Sequence, residues 1–104
     1  MHPALRKEFK NLKALSEKKG ISLALIETQL ENVVFISCDE RLVCLALEEG
    51  KIHNMLSCFK VNLDKWKWAE EEGFSIKEGI PNDLAAEILI KFNTPNEYLK
   101  YLNL

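Results

Sequence analysis

The chain has 104 residues, 47% of them hydrophobic and 29% charged, which is the balance of an ordinary folded domain and not of a disordered tail. Its formal net charge is −2, unevenly spread: residues 1–20 hold six Lys/Arg against two Glu, +4, and residues 21–104 hold eight against fourteen acids, −6. A basic first segment on an acidic body argues against a general nucleic-acid-binding surface.

The longest unbroken apolar runs, Val33–Ile36 and Leu42–Leu47, are too short to span a bilayer. MHPALRKEFK carries no apolar signal core. The three Cys, at 38, 44 and 58, form an odd set. These features predict one domain over 1–104 in a reduced, cytoplasmic setting, without a membrane segment.

In chain order, residues 3–19 predict an amphipathic helix. Leu5, Phe9, Leu12 and Leu15 fall on one stripe, Arg6, Lys7, Lys10 and Lys13 lie outside it, Pro3 suits a first turn and Gly20 suits a stop. Residues 21–30 fit two patterns: a strand with Ile21, Leu23 and Leu25 on one face, or a helix through Leu23, Ile26 and Leu30. VVFIS, an acidic Asp39-Glu40 tip, RLVCLAL and an EEGK turn then read as a β-hairpin. This unit resembles the strand–turn–strand–turn of quinoprotein-type β-propeller blades over about 20 residues. It occurs once, where a propeller repeats it, so it supports the hairpin alone. The rival is a helix over 38–49, started by the capping-box form Ser37-Cys38-Asp39-Glu40 and ended at Gly50. KIHNMLSCFKV after Gly50 can add a further strand. In the last third, Asn62 caps LDKWKWAEEEGF with Gly73 as stop, and SIKEGIP is a connector. DLAAEILIKF forms a helix to Phe92, and Thr94-Pro95-Asn96-Glu97 starts a final helix with Tyr98, Leu99 and Leu102 inward.

Several stretches invite a functional reading. LSEKKGISLALIETQLEN resembles the segment LAxxxGVSxxxIxxxxxG of repressor-type helix-turn-helix domains, through Leu15, Gly20, Ile21, Ser22 and Ile26. With VVFISCDERLVCLAL as a wing, residues 14–48 resemble a winged helix, which implies a DNA-binding regulator. Against it, Lys19 and Gln29 occupy positions where that pattern packs apolar side chains. The would-be recognition helix carries Glu27 and Glu31 and no Arg or Lys for bases or phosphates. IPNDLAAEILIKF resembles the opening of an F-box over about a dozen residues, or is a Pro-started amphipathic helix. Lys65-Trp66-Lys67-Trp68 interleaves cations and aromatics, but three Glu follow at 70–72. A helix there buries Trp66 and leaves Trp68, about 200° round, as an exposed protein-contact anchor.

Metal and catalytic readings find less. Cys38, Cys44, His53 and Cys58 have the spacing C-x5-C-x8-H-x4-C, which lacks the short hook of structural zinc sites. In a two-residue hairpin Cys38 and Cys44 point to opposite faces. His53 and Cys58 are too far round either a strand or a helix to pair. Asp39-Glu40 reads as turn chemistry, and the four Gly stand singly with no phosphate loop. The sequence therefore predicts no metal, no cofactor and no catalytic residues.

The predicted fold is α+β: an N-terminal helix, an antiparallel meander of about 3–4 strands over 21–61, then three helices. The alternative is all-α. With hairpin partners summing to 79, one face carries Val34, Ile36, Cys38, Val43, Leu45 and Leu47, and the other Val33, Phe35, Ser37, Leu42, Cys44 and Ala46. Both faces are apolar, so unless the helices divide across the sheet, one face is left bare for a homodimer or a protein partner. The expected role is a small intracellular binding or accessory domain acting through an apolar surface, with Trp66, Trp68, Phe35 and Leu42 as contact residues.

Overall fold

Local signals set the ends of the first helix in the computed structural model, which describes residues 1–50 and 52–104. Helix α1 spans Pro3–Lys18. His2 caps it, its Nδ1 accepting from the Ala4 N–H at 3.0 Å. At its end Gly20 takes φ 67°, and the N–H groups of Gly20 and Ile21 donate back to the Glu17 and Ser16 carbonyls. This is the Schellman arrangement, in which a residue without Cβ occupies the left-handed position at no steric cost. The buried stripe is Leu5, Leu12 and Ser16, with Phe9 partly buried. Leu15 is exposed, a correction to the expected stripe. Ser16 takes the inward place on the last turn, its hydroxyl satisfied by the Lys13 carbonyl at 2.7 Å.

Five strands follow as a meander in the order β1-β2-β3-β4-β5, all neighbours antiparallel: β1 Ala24–Glu27, β2 Val33–Cys38, β3 Arg41–Glu48, β4 Met55–Val61 and β5 Leu89–Lys91. The β2–β3 hairpin has the expected register, Cys38 opposite Arg41 and Val33 opposite Ala46, with Asp39 and Glu40 at the tip. Asp39 supplies the positive φ, 54°, that the tight turn requires. The fold is α+β, and the all-α alternative is excluded. The recognition helix that the helix-turn-helix resemblance implied as an alternative is not formed, because residues 24–27 pair with β2 as a strand.

Helix α2 spans Leu63–Glu71, with the Asn62 side chain accepting from the Lys65 N–H at 3.2 Å. Its end repeats the α1 arrangement, Gly73 at φ 97° and Phe74 N–H donating to the Ala69 carbonyl. A 3-10 turn follows at Ile76–Glu78, then α3 at Asn82–Ile88. The helix expected to reach Phe92 stops at Ile88. Leu89-Ile90-Lys91 instead pairs with Phe59-Lys60-Val61 as the fifth strand. Adjacent β-sheet partners outweigh helical periodicity in a short apolar run. Helix α4 spans Pro95–Tyr101, capped by Thr94, whose hydroxyl accepts from the Glu97 N–H.

The helices divide across the sheet. On the first face α1 and α4 bury Leu5, Leu12, Tyr98 and Leu102 against Val34, Ile36, Cys38, Val43, Leu45, Leu47 and Cys58. The buried Tyr98 hydroxyl donates to the Glu8 carboxylate, joining the two helices. On the second face α2 and α3 bury Trp66, Ala69 and Ile88 against Phe35, Leu42, Cys44 and Val61. The bare sheet face from which a homodimer was expected is therefore covered within one chain. Among the described residues no helix is long and apolar enough to cross a membrane.

Candidate functional site

The two layers end differently at the hairpin tip. On the second face the register sets Ala24, Ser37 and Leu42 in one row across β1, β2 and β3. One row further from the tip stand Ile26, Phe35, Cys44 and Phe59. The inner row carries the bulky Ile26, Phe35 and Phe59 and is buried or partly buried throughout. The tip row holds two small side chains, and a row that small cannot fill the space beneath α2. A cleft of about 300 Å³ opens there, lined by Ile26, Ser37, Leu42, Leu63, Trp66 and Ile76 with Asp39, Glu40, Arg41, Lys67 and Glu70 around it.

Each wall has a local cause. Leu42 follows the turn and faces α2 by strand alternation. Leu63, Trp66, Lys67 and Glu70 share one side of α2 at helical spacing, so the helix contributes an apolar lower edge and a charged upper one. Ile76 is carried in by the 3-10 turn. That turn is held to the end of β1 by the Gln29 N–H donating to the Lys77 carbonyl at 2.7 Å. Such a concave, mainly apolar pocket with a few polar groups has the form of a binding site, near the lower end of the roughly 300–1,000 Å³ range of ligand pockets.

The four residues expected to contact a partner separate. Leu42 and Trp66 come together on the cleft floor, 6% and 4% exposed. Phe35 is fully buried in the same core and presents nothing to solvent. Trp68 is 47% exposed on α2 but does not line the cleft. Ile26, Ser37, Leu63 and Ile76 were not among the contact residues expected from the sequence. Their signal was the small, polar Ser37 at the tip end of an apolar face, and it is readable only once Ala24 is known to lie beside it in a strand.

The cysteines are free and buried. Cys38 and Cys58 lie in the first-face core and Cys44 in the second, while His53 is exposed in the β3–β4 connection. The four groups of the C-x5-C-x8-H-x4-C pattern are thus dispersed. Burial pushes the Cys44 thiol up to about 12, and burial with the Glu8 carboxylate does the same to Cys58. Burial raises Tyr98 too, and its hydrogen bond to Glu8 adds to this. These groups stay protonated at neutral pH and are poor nucleophiles. Ser37 has no histidine among the residues lining the cleft. Comparison of the chain with known protein families, with curated proteins and with solved structures finds no match in any of the three.

Proposed function

We propose that the chain is a small binding or accessory domain without a catalytic centre, which holds a segment of a protein partner in the cleft between the hairpin tip and α2. The observation that carries this reading is the cleft itself, an apolar floor of Leu42 and Trp66 inside a charged mouth. The five-stranded sheet beneath it supplies a preformed surface, and preorganisation lowers the ordering cost of binding. Three free thiols fit a reducing, cytoplasmic setting. Duplex DNA is not the expected ligand, since residues 21–104 carry −6 and the helix-turn-helix is not formed.

Selection from a random-peptide display library, followed by chemical-shift mapping of the selected peptides, tests the reading. Peptides that shift the amides of Ile26 and Leu42 and the Trp66 indole, and lose binding to a Ser37→Trp variant, support it. Peptides that bind elsewhere and ignore the blocked cleft sink it. Self-association is a second reading, favoured by Ile52, Met55 and Leu56, which are exposed by 93%, 55% and 37% on and beside the β3–β4 connection. It requires a dimer in sedimentation at tens of micromolar that Met55→Asp dissociates, and a monomeric mass removes it.

A further inference from the structure

The charges around the cleft point to the chemistry of its occupant. Asp39, Glu40 and Glu70 stand at the mouth, all exposed. Two cations share the lining. Lys67 lies exposed on the same side of α2 as Glu70. Arg41 contributes to the wall, but its guanidinium is turned to the other face of the sheet, where its carbon sits 5.9 Å from the centre of the Tyr101 ring. Tyr101 belongs to the first-face layer, and Lys60 is held over the same ring at 5.4 Å. Strand alternation sets Arg41 on the first face opposite Cys38, and the electron-rich ring holds its guanidinium there, away from the acids beside it in sequence. Among the described residues the one ion pair is His2 with Glu49, at 3.2 Å and only when the histidine is protonated, so the three carboxylates of the mouth have no cation within bonding reach.

An apolar floor beneath a mouth in which three carboxylates outnumber the one cation turned toward it, Lys67, is complementary to an apolar group flanked by cations. We propose that the cleft takes a basic amphipathic peptide segment, one bulky apolar side chain seated on Leu42 and Trp66 with neighbouring Lys or Arg side chains meeting Asp39, Glu40 and Glu70. This rests on the binding reading above and narrows it. The carboxylates steer and select, and the floor holds. Exposed ion pairs are individually weak, so the three together are worth on the order of tenfold in affinity. The same acids repel anionic membrane surfaces and nucleic acids, which sets a basic peptide apart from those ligands.

The experiment uses the library-selected peptides as synthetic probes, titrated calorimetrically into the full chain and into an Asp39→Asn/Glu40→Gln/Glu70→Gln variant. The substituted side chains are exposed, and Asn tolerates the positive φ at 39, so circular dichroism matching that of the parent is expected. The proposal expects peptides enriched in Lys or Arg beside an aromatic or aliphatic residue. It expects a loss of about tenfold in the variant, and the same direction of change in the parent when salt is raised. Neutral or acidic peptides that shift the Trp66 indole, or an affinity indifferent to the triple substitution, overturn the charge argument while leaving cleft binding intact. No selected peptide shifting the Trp66 indole overturns both. Concentration-dependent self-association that the triple substitution abolishes also overturns the proposal, since the basic α1 of a second copy is then the occupant.

Discussion

The two faces of one sheet are finished to different standards. The α1–α4 face buries eleven hydrophobic side chains among the described residues, is spanned by a 16-residue helix and carries the Tyr98–Glu8 hydrogen bond between its helices. The α2–α3 face buries seven, uses helices of nine and seven residues, and leaves the cleft at its tip end. Both draw on the same strands, whose alternate residues serve opposite layers, so the difference lies in what covers the sheet. On the binding reading proposed above, the more deeply buried face serves as scaffold and the face with the apolar cleft as the working surface. A small chain has little surplus stability, and an incompletely filled layer persists only where the other layer is well packed.

The largest test of that contrast is a truncation in each layer. Leu12→Ala, at 1% exposure within the α1 core, should cost about 2–5 kcal/mol in urea unfolding. Leu63→Ala on the half-buried cleft wall should cost about 1 kcal/mol while enlarging the cleft. Equal losses would mean that the two layers are packed alike. Tyr98→Phe keeps the ring and deletes the hydroxyl that reaches Glu8, and it should cost about 1–2 kcal/mol. In a cycle with Glu8→Ala the two losses should not add. Additive losses would leave the helices joined by packing alone.

The first helix was plainly legible, whereas the hairpin had a rival in a helix over 38–49. The hairpin register followed from the two-residue Asp39-Glu40 tip, which sets Cys38 opposite Arg41; the apolar pattern could not fix it, because both faces of the hairpin are apolar. The caps at Gly20, Asn62, Gly73 and Thr94 were readable because each is a local hydrogen-bonding need met by its own residue type. Strand β5 was not. Leu89-Ile90-Lys91 continues a helical pattern, and only the edge of β4, nearly thirty residues earlier, makes it a strand. The apolar faces of the hairpin announced two covering layers, but their division among the helices is a tertiary choice. The cleft was hidden for the same reason: it depends on Ala24, Ser37, Trp66 and Ile76 meeting from four separate elements. Trp66 inward and Trp68 outward did follow from helical geometry alone.

Two smaller effects sharpen the picture. Asn62→Ala removes the acceptor for the Lys65 N–H at the start of α2, costing about 1 kcal/mol. The loss should be seen as fraying confined to the α2 layer in amide exchange, with α1 unaffected. Alkaline pH acts through the thiols. Cys44 and Cys58 are raised from 9.0 to about 12 in the folded chain, so their contribution to stability is fully present below pH 9. Between pH 9 and 12 the unfolded chain releases protons that the folded chain retains, and stability should fall, by on the order of 1 kcal/mol per thiol near pH 10. Denaturant midpoints at neutral pH and near pH 10 measure the drop, which Cys44→Ala should reduce. A flat profile would place these thiols in water.

Native-state amide exchange of the full chain, free and bound to a library-selected peptide, tests most directly whether the scaffold and the working surface are divided in this way. Amides of α2 and the 3-10 turn should exchange faster than those of α1 and α4 in the free chain. On binding, protection should rise at residues 37–42 and 63–70 and stay constant across α1. Uniform exchange in the free chain, or protection gained over α1 and α4 in place of the cleft, would contradict it.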